Sequence, residues 1–297
     1  MTPAPLVILA PPHSEAAAVA AMLGNHPGAI ALPELHLLHT SRVADLLQLY
    51  ARASNRLADG LLRCIAQLCC EGQSEAGIAQ AQAFLRRRAE WSTTALLQQI
   101  VAGWAPRRVV LHDTSAALRV TDLDRYFEAL PWAAFLHLQR HPLHFAHAAL
   151  AHLDARIDIP PDYKDHGSPY PRLEPQLMWY RVHHTLRREL AARREEGART
   201  RSLRLEDLFA TPEATLHGLC EWLGWSCDAA AIADMLAPPS GPFCGPGPQA
   251  APGGFERTPD NRAPFVVPLA ERHRHVPGSE SSLATETLQL ARQLGYA

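Results

Sequence analysis

The chain has 297 residues, of which 47% are hydrophobic and 20% charged, with a net charge of −2. That is the composition of an ordinary globular protein, long enough to bury a sizeable core. Near-neutral charge argues against a general nucleic-acid or polyanionic-membrane binder, and no run reaches the roughly 18 apolar residues of a membrane span. The first residues lack the basic region, apolar core and cleavage site of a secretory signal. Six cysteines (Cys64, Cys69, Cys70, Cys220, Cys227, Cys244) show neither zinc-type pairing nor a compact disulfide framework. A reduced, cytoplasmic protein is expected. Lys164 is the only lysine, so any catalytic or phosphate-gripping lysine would have to be that one.

In chain order, Leu6 to Ala10 is a short apolar run typical of a strand buried on both faces of a parallel sheet. Ser14 is a good N-cap for a helix ending at Gly24-Asn25, where Pro27 blocks continuation. This strand, tight turn and helix have the layout of a phosphate-binding loop. Ala31 to His39 reads as strand-like or loop. From about Thr40 to Gly103 the apolar spacing is helical, with a break at Gly72-Gln73-Ser74. Arg108 to Asp113 is a second buried strand, and a helical stretch follows from Thr121 to Leu130. Ala133 to Arg140 is a third strand, running into Arg140-His141-Pro142.

Arg156 to Pro175 is rich in Pro, Asp and Gly and reads as a loop. Pro175 to Glu196 is an amphipathic helix, followed by the strand Thr200 to Leu205 and a helix from Thr211 to Leu223 with proline in its first turn. Pro238 to Pro268 is packed with Pro and Gly, a length of irregular chain typical of a functional lid or a disordered segment. Strands alternating with helices imply a parallel α/β sheet with its ligands at the strand C-terminal ends.

Several of these segments together resemble the bacterial branch of the sulfotransferases that use 3′-phosphoadenosine 5′-phosphosulfate (PAPS). They are the opening strand, His26-Pro27, the run Pro33 to Leu38, the run Phe135 to Pro142, the run Leu203 to Leu216, and Cys220 to Gly224. The resemblance spans nearly the whole chain. It implies a single domain over residues 1–297 with a central parallel sheet flanked by helices, the P-loop-containing nucleotide-hydrolase-like (sulfotransferase) fold. A helical insertion over about 40–103 and the Pro/Gly-rich loop over about 238–268 would decorate it.

The resemblance also implies a site. Amides at the helix N-terminus would hold the 5′-phosphosulfate, and Arg140 stands where the family grips the 3′-phosphate. The cofactor loop maps onto His13, Ser14, Glu15, Ala16 and Ala17. Here the family has Arg or Lys, then Ser, Gly and two hydroxyl residues. The family's serine eight residues after the arginine is Ala148, the lysine after the second strand is His112, and the aromatic before Glu206-Asp207 is Leu205. Glu15 brings a carboxylate and a Cβ to an anion site.

For chemistry, Glu34 is the candidate general base, or else a polar anchor for its loop; His36 is a second base candidate. His112 or His13 would stabilise the leaving oxygen, although His112 also reads as a hydrogen-bonded core histidine. His141, His144 and His147 recur every three residues but lack the convergent acidic partner of a metal site, so no metal is expected. Glu206-Asp207 reads as a brace at a strand end. The expected activity is sulfuryl transfer from PAPS to a hydroxyl of a small-molecule or carrier-bound acceptor. The alternatives are a non-catalytic binding or scaffolding homologue, or an enzyme reusing the cleft without PAPS. Acceptor identity and oligomeric state are not encoded in any motif.

Overall fold

The computed structural model describes residues 2–52, 55–151, 164–165, 172–255 and 283–296. At its centre lies Leu6–Leu9 (β1), four apolar residues with no solvent exposure at all. β1 pairs in parallel with Arg108–Asp113 (β3) on one side and Ala134–Gln139 (β4) on the other. Ala29–Ala31 (β2) extends the sheet beyond β3, and Arg199–Arg204 (β7) extends it beyond β4. The order is therefore β2-β3-β1-β4-β7, all parallel. Two buried faces explain why these strands read as continuous apolar runs rather than alternating ones.

The crossovers place the helices. Ala16–Gly24 (α1) links β1 to β2 and packs on β1, β2 and β3. Val120–Ala129 (α6) links β3 to β4, moving in the opposite direction across the sheet. So does Pro175–Glu195 (α8) on its way to β7. Right-handed crossovers in opposite directions put α1 on one face and α6 and α8 on the other. Register confirms the division: Asp113, Leu9 and His137 align across the sheet, Asp113 meets Tyr126 of α6, and His137 meets His183 of α8.

The stretch expected to be helical from Thr40 to Gly103 forms four helices: Val43–Arg52 (α2), Asp59–Cys69 (α3), Glu75–Arg86 (α4) and Thr93–Gly103 (α5). Ser74 and Ser92 cap α4 and α5 by accepting from the amides of Gly77 and Ala95, which is why the break falls at Gly72 to Ser74. Pro142–Ala151 (α7) follows β4. Within the Arg156 to Pro175 stretch, Lys164–Asp165 (β5) and Arg172–Leu173 (β6) form a small antiparallel pair; the remainder of that stretch up to Leu173 lies outside the described residues. Leu205–Ala210 (α9), Pro212–Leu223 (α10), Ala229–Leu236 (α11) and Thr285–Gln293 (α12) complete the chain.

Two expectations change. The strand after α1 is Ala29–Ala31 and precedes the Ala31 to His39 segment rather than lying within it; Leu32 donates one last bond to Val110, and Pro33 then has no N–H to continue the ladder. The first half of the Pro/Gly-rich loop is pinned to the helical insertion. Buried Arg63 donates to the carbonyls of Gly245 (3.1 Å) and Gly253 (2.7 Å), while Asp59 accepts from the Gly253 amide. Residues 256–268 of that loop lie outside the described residues.

Gly60 of α3 is where the insertion touches the segment after β2: a Cβ there would run into the Glu34 carbonyl. Gly60→Ala should therefore destabilise the fold by about 1–3 kcal/mol through overpacking, outweighing alanine's helix preference. Urea unfolding checks this, and an unchanged midpoint would show that the Glu34 segment does not rest on α3.

Candidate active site

Because β1 lies between β3 and β4, the turn after it emerges between the ends of those strands, with Asp113 on one side and Arg140 on the other. Ligands of open parallel sheets bind in such crevices. His13 and Glu15 both adopt left-handed backbone (φ 65° and 59°), a conformation that glycine occupies without cost and other residues do not. Glu15, not the expected Ser14, is the N-cap of α1, and neither side chain caps the helix. The first main-chain bond of the helix runs from the Val19 amide to the Glu15 carbonyl at 3.0 Å, so the amides of Ala16 to Ala18 are not spent within it. Ala16 is buried and Ala17 exposed. The Ser14 hydroxyl is fully buried and has no partner among the described residues.

Arg140 closes the other wall. Its side chain is 4% exposed, and its Nη1 donates to the His13 carbonyl (2.6 Å) and to Glu15 Oε1 (3.3 Å). Burial lowers its pKa from the ordinary value, with Glu15 and Glu206 opposing. Trp179 Nε1 holds the Arg140 main-chain carbonyl at 2.7 Å. The arginine is thus positioned by the turn it faces, and Glu15's carboxylate rests on it as an anionic partner. Glu15 remains 43% exposed, so that carboxylate is free to turn into solvent.

On the β3 side, Glu34 Oε1 accepts from both the amide (2.6 Å) and the hydroxyl (2.8 Å) of Thr114, and Oε2 lies 3.8 Å from His36 Nε2. His36 stacks on His39 with ring centres 5.6 Å apart. His112 sits on the α1 face, 4% exposed and tilted against Phe255 at 5.5 Å. Burial lowers its pKa and leaves it a neutral imidazole, with Glu34 and Asp113 pulling the other way. Its Nδ1 has no partner among the described residues. The structure therefore brings His13, Ser14, Glu15 and Arg140 together around the turn, and Glu34 and His36 together beyond the end of β3.

Sequence reading missed the groups beneath Glu34 and His36: Asp113, Ser115, His39, Asp122 and Tyr126. Asp113-Thr114-Ser115 at a strand end was the one visible signal; His39 and Asp122 are joined only by folding. Glu206 forms a brace, accepting from the His141 amide (2.8 Å), His144 Nδ1 (3.2 Å) and the Tyr296 hydroxyl (3.1 Å). His147 is exposed on α7. Among the described residues no group of His, Cys, Asp and Glu converges as a metal site, and no helix is long and apolar enough to cross a membrane.

The sequence model of the sulfotransferase family matches residues 5–229, well over half of the chain. This chain belongs to the sulfotransferase family. Its structure is similar to the sulfotransferase domain from the curacin biosynthetic pathway, at 19% identity and a TM-score of 0.70, covering 99% of this chain and 98% of that one. It is similar also to the sulfotransferase domain of the Synechococcus PCC 7002 olefin synthase, at 20% identity and a TM-score of 0.68, covering 99% and 96%. Those likenesses establish the P-loop-like sulfotransferase fold. A search of curated proteins by sequence finds no match.

The residues present fit an anionic nucleotide in part. Unspent helix amides, the orphaned Ser14 hydroxyl and buried Arg140 are the donors such a ligand needs. Glu15 competes for Arg140, and Ala148, eight residues on, carries no hydroxyl.

The brace at the base of this wall makes a pH prediction. Burial alone would raise the Glu206 carboxyl, but the bonds from His144, the His141 amide and Tyr296 outweigh it and hold the pKa below the ordinary value. A carboxyl lowered in the folded state stabilises fully above its unfolded pKa, and that stabilisation is lost as pH falls through the folded one. Glu206→Gln should cost about 1.5–3 kcal/mol at pH 7, and the gap to the unsubstituted protein should close on acidification below the carboxylate range. Thermal melts across roughly pH 2–8, from below the carboxylate range to neutral, test this; a gap independent of pH would contradict it.

Proposed function

We propose that this protein transfers a sulfuryl group from PAPS to a hydroxyl of a small-molecule or carrier-bound acceptor. The observation that carries the reading is Arg140, buried and aimed into the turn before α1. When bound, PAPS supplies the sulfuryl group with 3′-phosphoadenosine 5′-phosphate as leaving group. Amides of Ala16 to Ala18 and the Ser14 hydroxyl would face its 5′ end, and Arg140 its 3′-phosphate. His13, replacing the family's basic residue, would stabilise the leaving oxygen. The Glu34–His36 pair receives the acceptor's proton. The two similar structures are domains of a biosynthetic pathway and of a synthase, which favours a biosynthetic intermediate as acceptor.

The Glu15–Arg140 contact favours a second reading, a homologue that keeps the cleft without PAPS. Calorimetric titration with 3′-phosphoadenosine 5′-phosphate separates the two. The first reading expects micromolar binding, abolished by Arg140→Ala. Glu15→Gly removes the competing carboxylate and the left-handed Cβ, and should tighten binding at least about ten-fold, some 1.4 kcal/mol. Absence of binding at millimolar ligand would overturn the first reading, and binding gained only in Glu15→Gly would support the second.

A further inference from the structure

Below the Glu34–His36 pair, the Ser115 hydroxyl sits within hydrogen-bond reach of three groups: Asp113 Oδ1 at 2.6 Å, His39 Nε2 at 3.2 Å and His36 Nδ1 at 3.3 Å. His39 Nδ1 in turn lies 2.9 Å from Asp122 Oδ2, and Asp122 Oδ1 is held by Arg125 at 2.8 Å. Serine, histidine and aspartate in that connectivity resemble a nucleophile, its base and an orienting carboxylate. Proton counting excludes a nucleophile here. A hydroxyl has one proton to give, and the short bond to a carboxylate that only accepts claims it. Asp113 Oδ1 also takes the amides of Ser115 (2.9 Å) and Ala116 (2.7 Å), so the amides that would form an oxyanion hole are already spent.

With its proton given to Asp113, the Ser115 oxygen has only lone pairs left, and both imidazoles must donate to it. His39 then donates from both ring nitrogens, to Ser115 and to Asp122, and is an imidazolium. Burial works against that charge, but the Asp122 bond and the fields of Asp113 and Asp122 prevail and raise its pKa. Asp113 is held ionised in turn. Burial alone would raise it, and His39, His36, the Ser115 hydroxyl and the Ala116 amide lower it. Tyr126 donates to its second oxygen at 2.8 Å. The result is a fully satisfied network, the kind that fixes side-chain geometry.

We infer that Ser115, polarised by Asp113 and held by the His39–Asp122 ion pair, is a positioning residue that locks His36 with its proton on Nδ1, so that His36 Nε2 is the atom that receives the acceptor's proton. This rests on the sulfuryl-transfer reading and deepens it by choosing between the members of the Glu34–His36 pair. The acceptor's O–H bond would break and an N–H bond form at Nε2, the electron pair left on oxygen making its new bond to sulfur while the bond from sulfur to the 5′-phosphate oxygen breaks and 3′-phosphoadenosine 5′-phosphate leaves with that electron pair. Glu34 has its Oε1 occupied by two bonds from Thr114. Its Oε2, 3.8 Å away, stabilises the imidazolium so formed. The left-handed backbone of His36 (φ 46°) is what aims the ring down at Ser115, and the Tyr50 hydroxyl holds the Leu35 carbonyl (3.1 Å) beside it.

Nitrogen-15 NMR of histidine-labelled full-length protein at neutral pH reads ring tautomer and charge directly. The expected result is an Nδ1–H tautomer for His36 and a doubly protonated His39. Ser115→Ala should mix the His36 tautomers, and Ser115→Thr should restore the single one. An Nε2–H tautomer at His36, or one indifferent to Ser115→Ala in a folded variant, would overturn the proposal. PAPS consumption with water as acceptor supplies the kinetic arm. His36→Asn should lower kcat about 100-fold or more, within the usual range for a lost general base, with KM for PAPS unchanged. Glu34→Gln should lower it about ten-fold by the same reasoning, and the opposite ranking would also overturn it. If the unsubstituted protein binds no 3′-phosphoadenosine 5′-phosphate at millimolar ligand while the NMR result holds, the sulfuryl-transfer reading fails and Ser115's positioning role stands.

Discussion

Everything at the candidate site depends on β1 being paired on both sides and covered on both faces. A four-residue strand without exposure cannot slip register, because a shift of one residue would turn every side chain to the opposite face. With Leu9 locked beside Asp113 and His137, the turn that follows has one exit, between the ends of β3 and β4. The geometry of the turn is thus a consequence of the sheet. The loop itself is strained, with two non-glycine residues in left-handed backbone, and the surrounding pairing is what holds it there.

The second organising rule, at the two walls of the crevice, is that a buried cation meets an internal carboxylate. Arg140 faces Glu15 and His39 faces Asp122; an unpaired buried charge would cost far more than either contact contributes. The rule has opposite consequences on the two walls. On the β3 wall it yields a saturated network in which every proton has a place. On the β4 wall it seats a carboxylate against the arginine proposed to meet a phosphate. The same chemistry therefore sharpens one half of the crevice and obstructs the other. Glu15, more than a third exposed, is the movable part.

Much of this was legible from residue order alone. Leu6 to Ala10, Arg108 to Asp113 and Ala133 to Arg140 announce buried strands because burial on both faces removes alternation. Pro212 marks a helix start because it needs no partner for an orphan backbone donor. Arg140 and the turn from His13 to Ala17 were visible because the family pattern is local there. The strand Ala29–Ala31 was not read as one, since three residues are too few to carry a periodic signal. Ser115, His39 and Asp122 were invisible. Their meaning lies in which atom gives a proton to which, and 76 to 83 residues separate the partners.

The sequence by itself determined the parallel α/β architecture, the membership of the sulfotransferase family and the substitutions in the phosphate turn. These follow from hydrophobic pattern and from motifs a few residues long. Only the tertiary structure decided that Glu15 lies on Arg140, that His112 is a neutral ring beneath Phe255, and that Ser115 has no proton left for chemistry. Each depends on distances between residues brought together by crossovers. A hydrogen bond or ion pair forms or fails within a few tenths of an ångström, far below what spacing along a chain can specify.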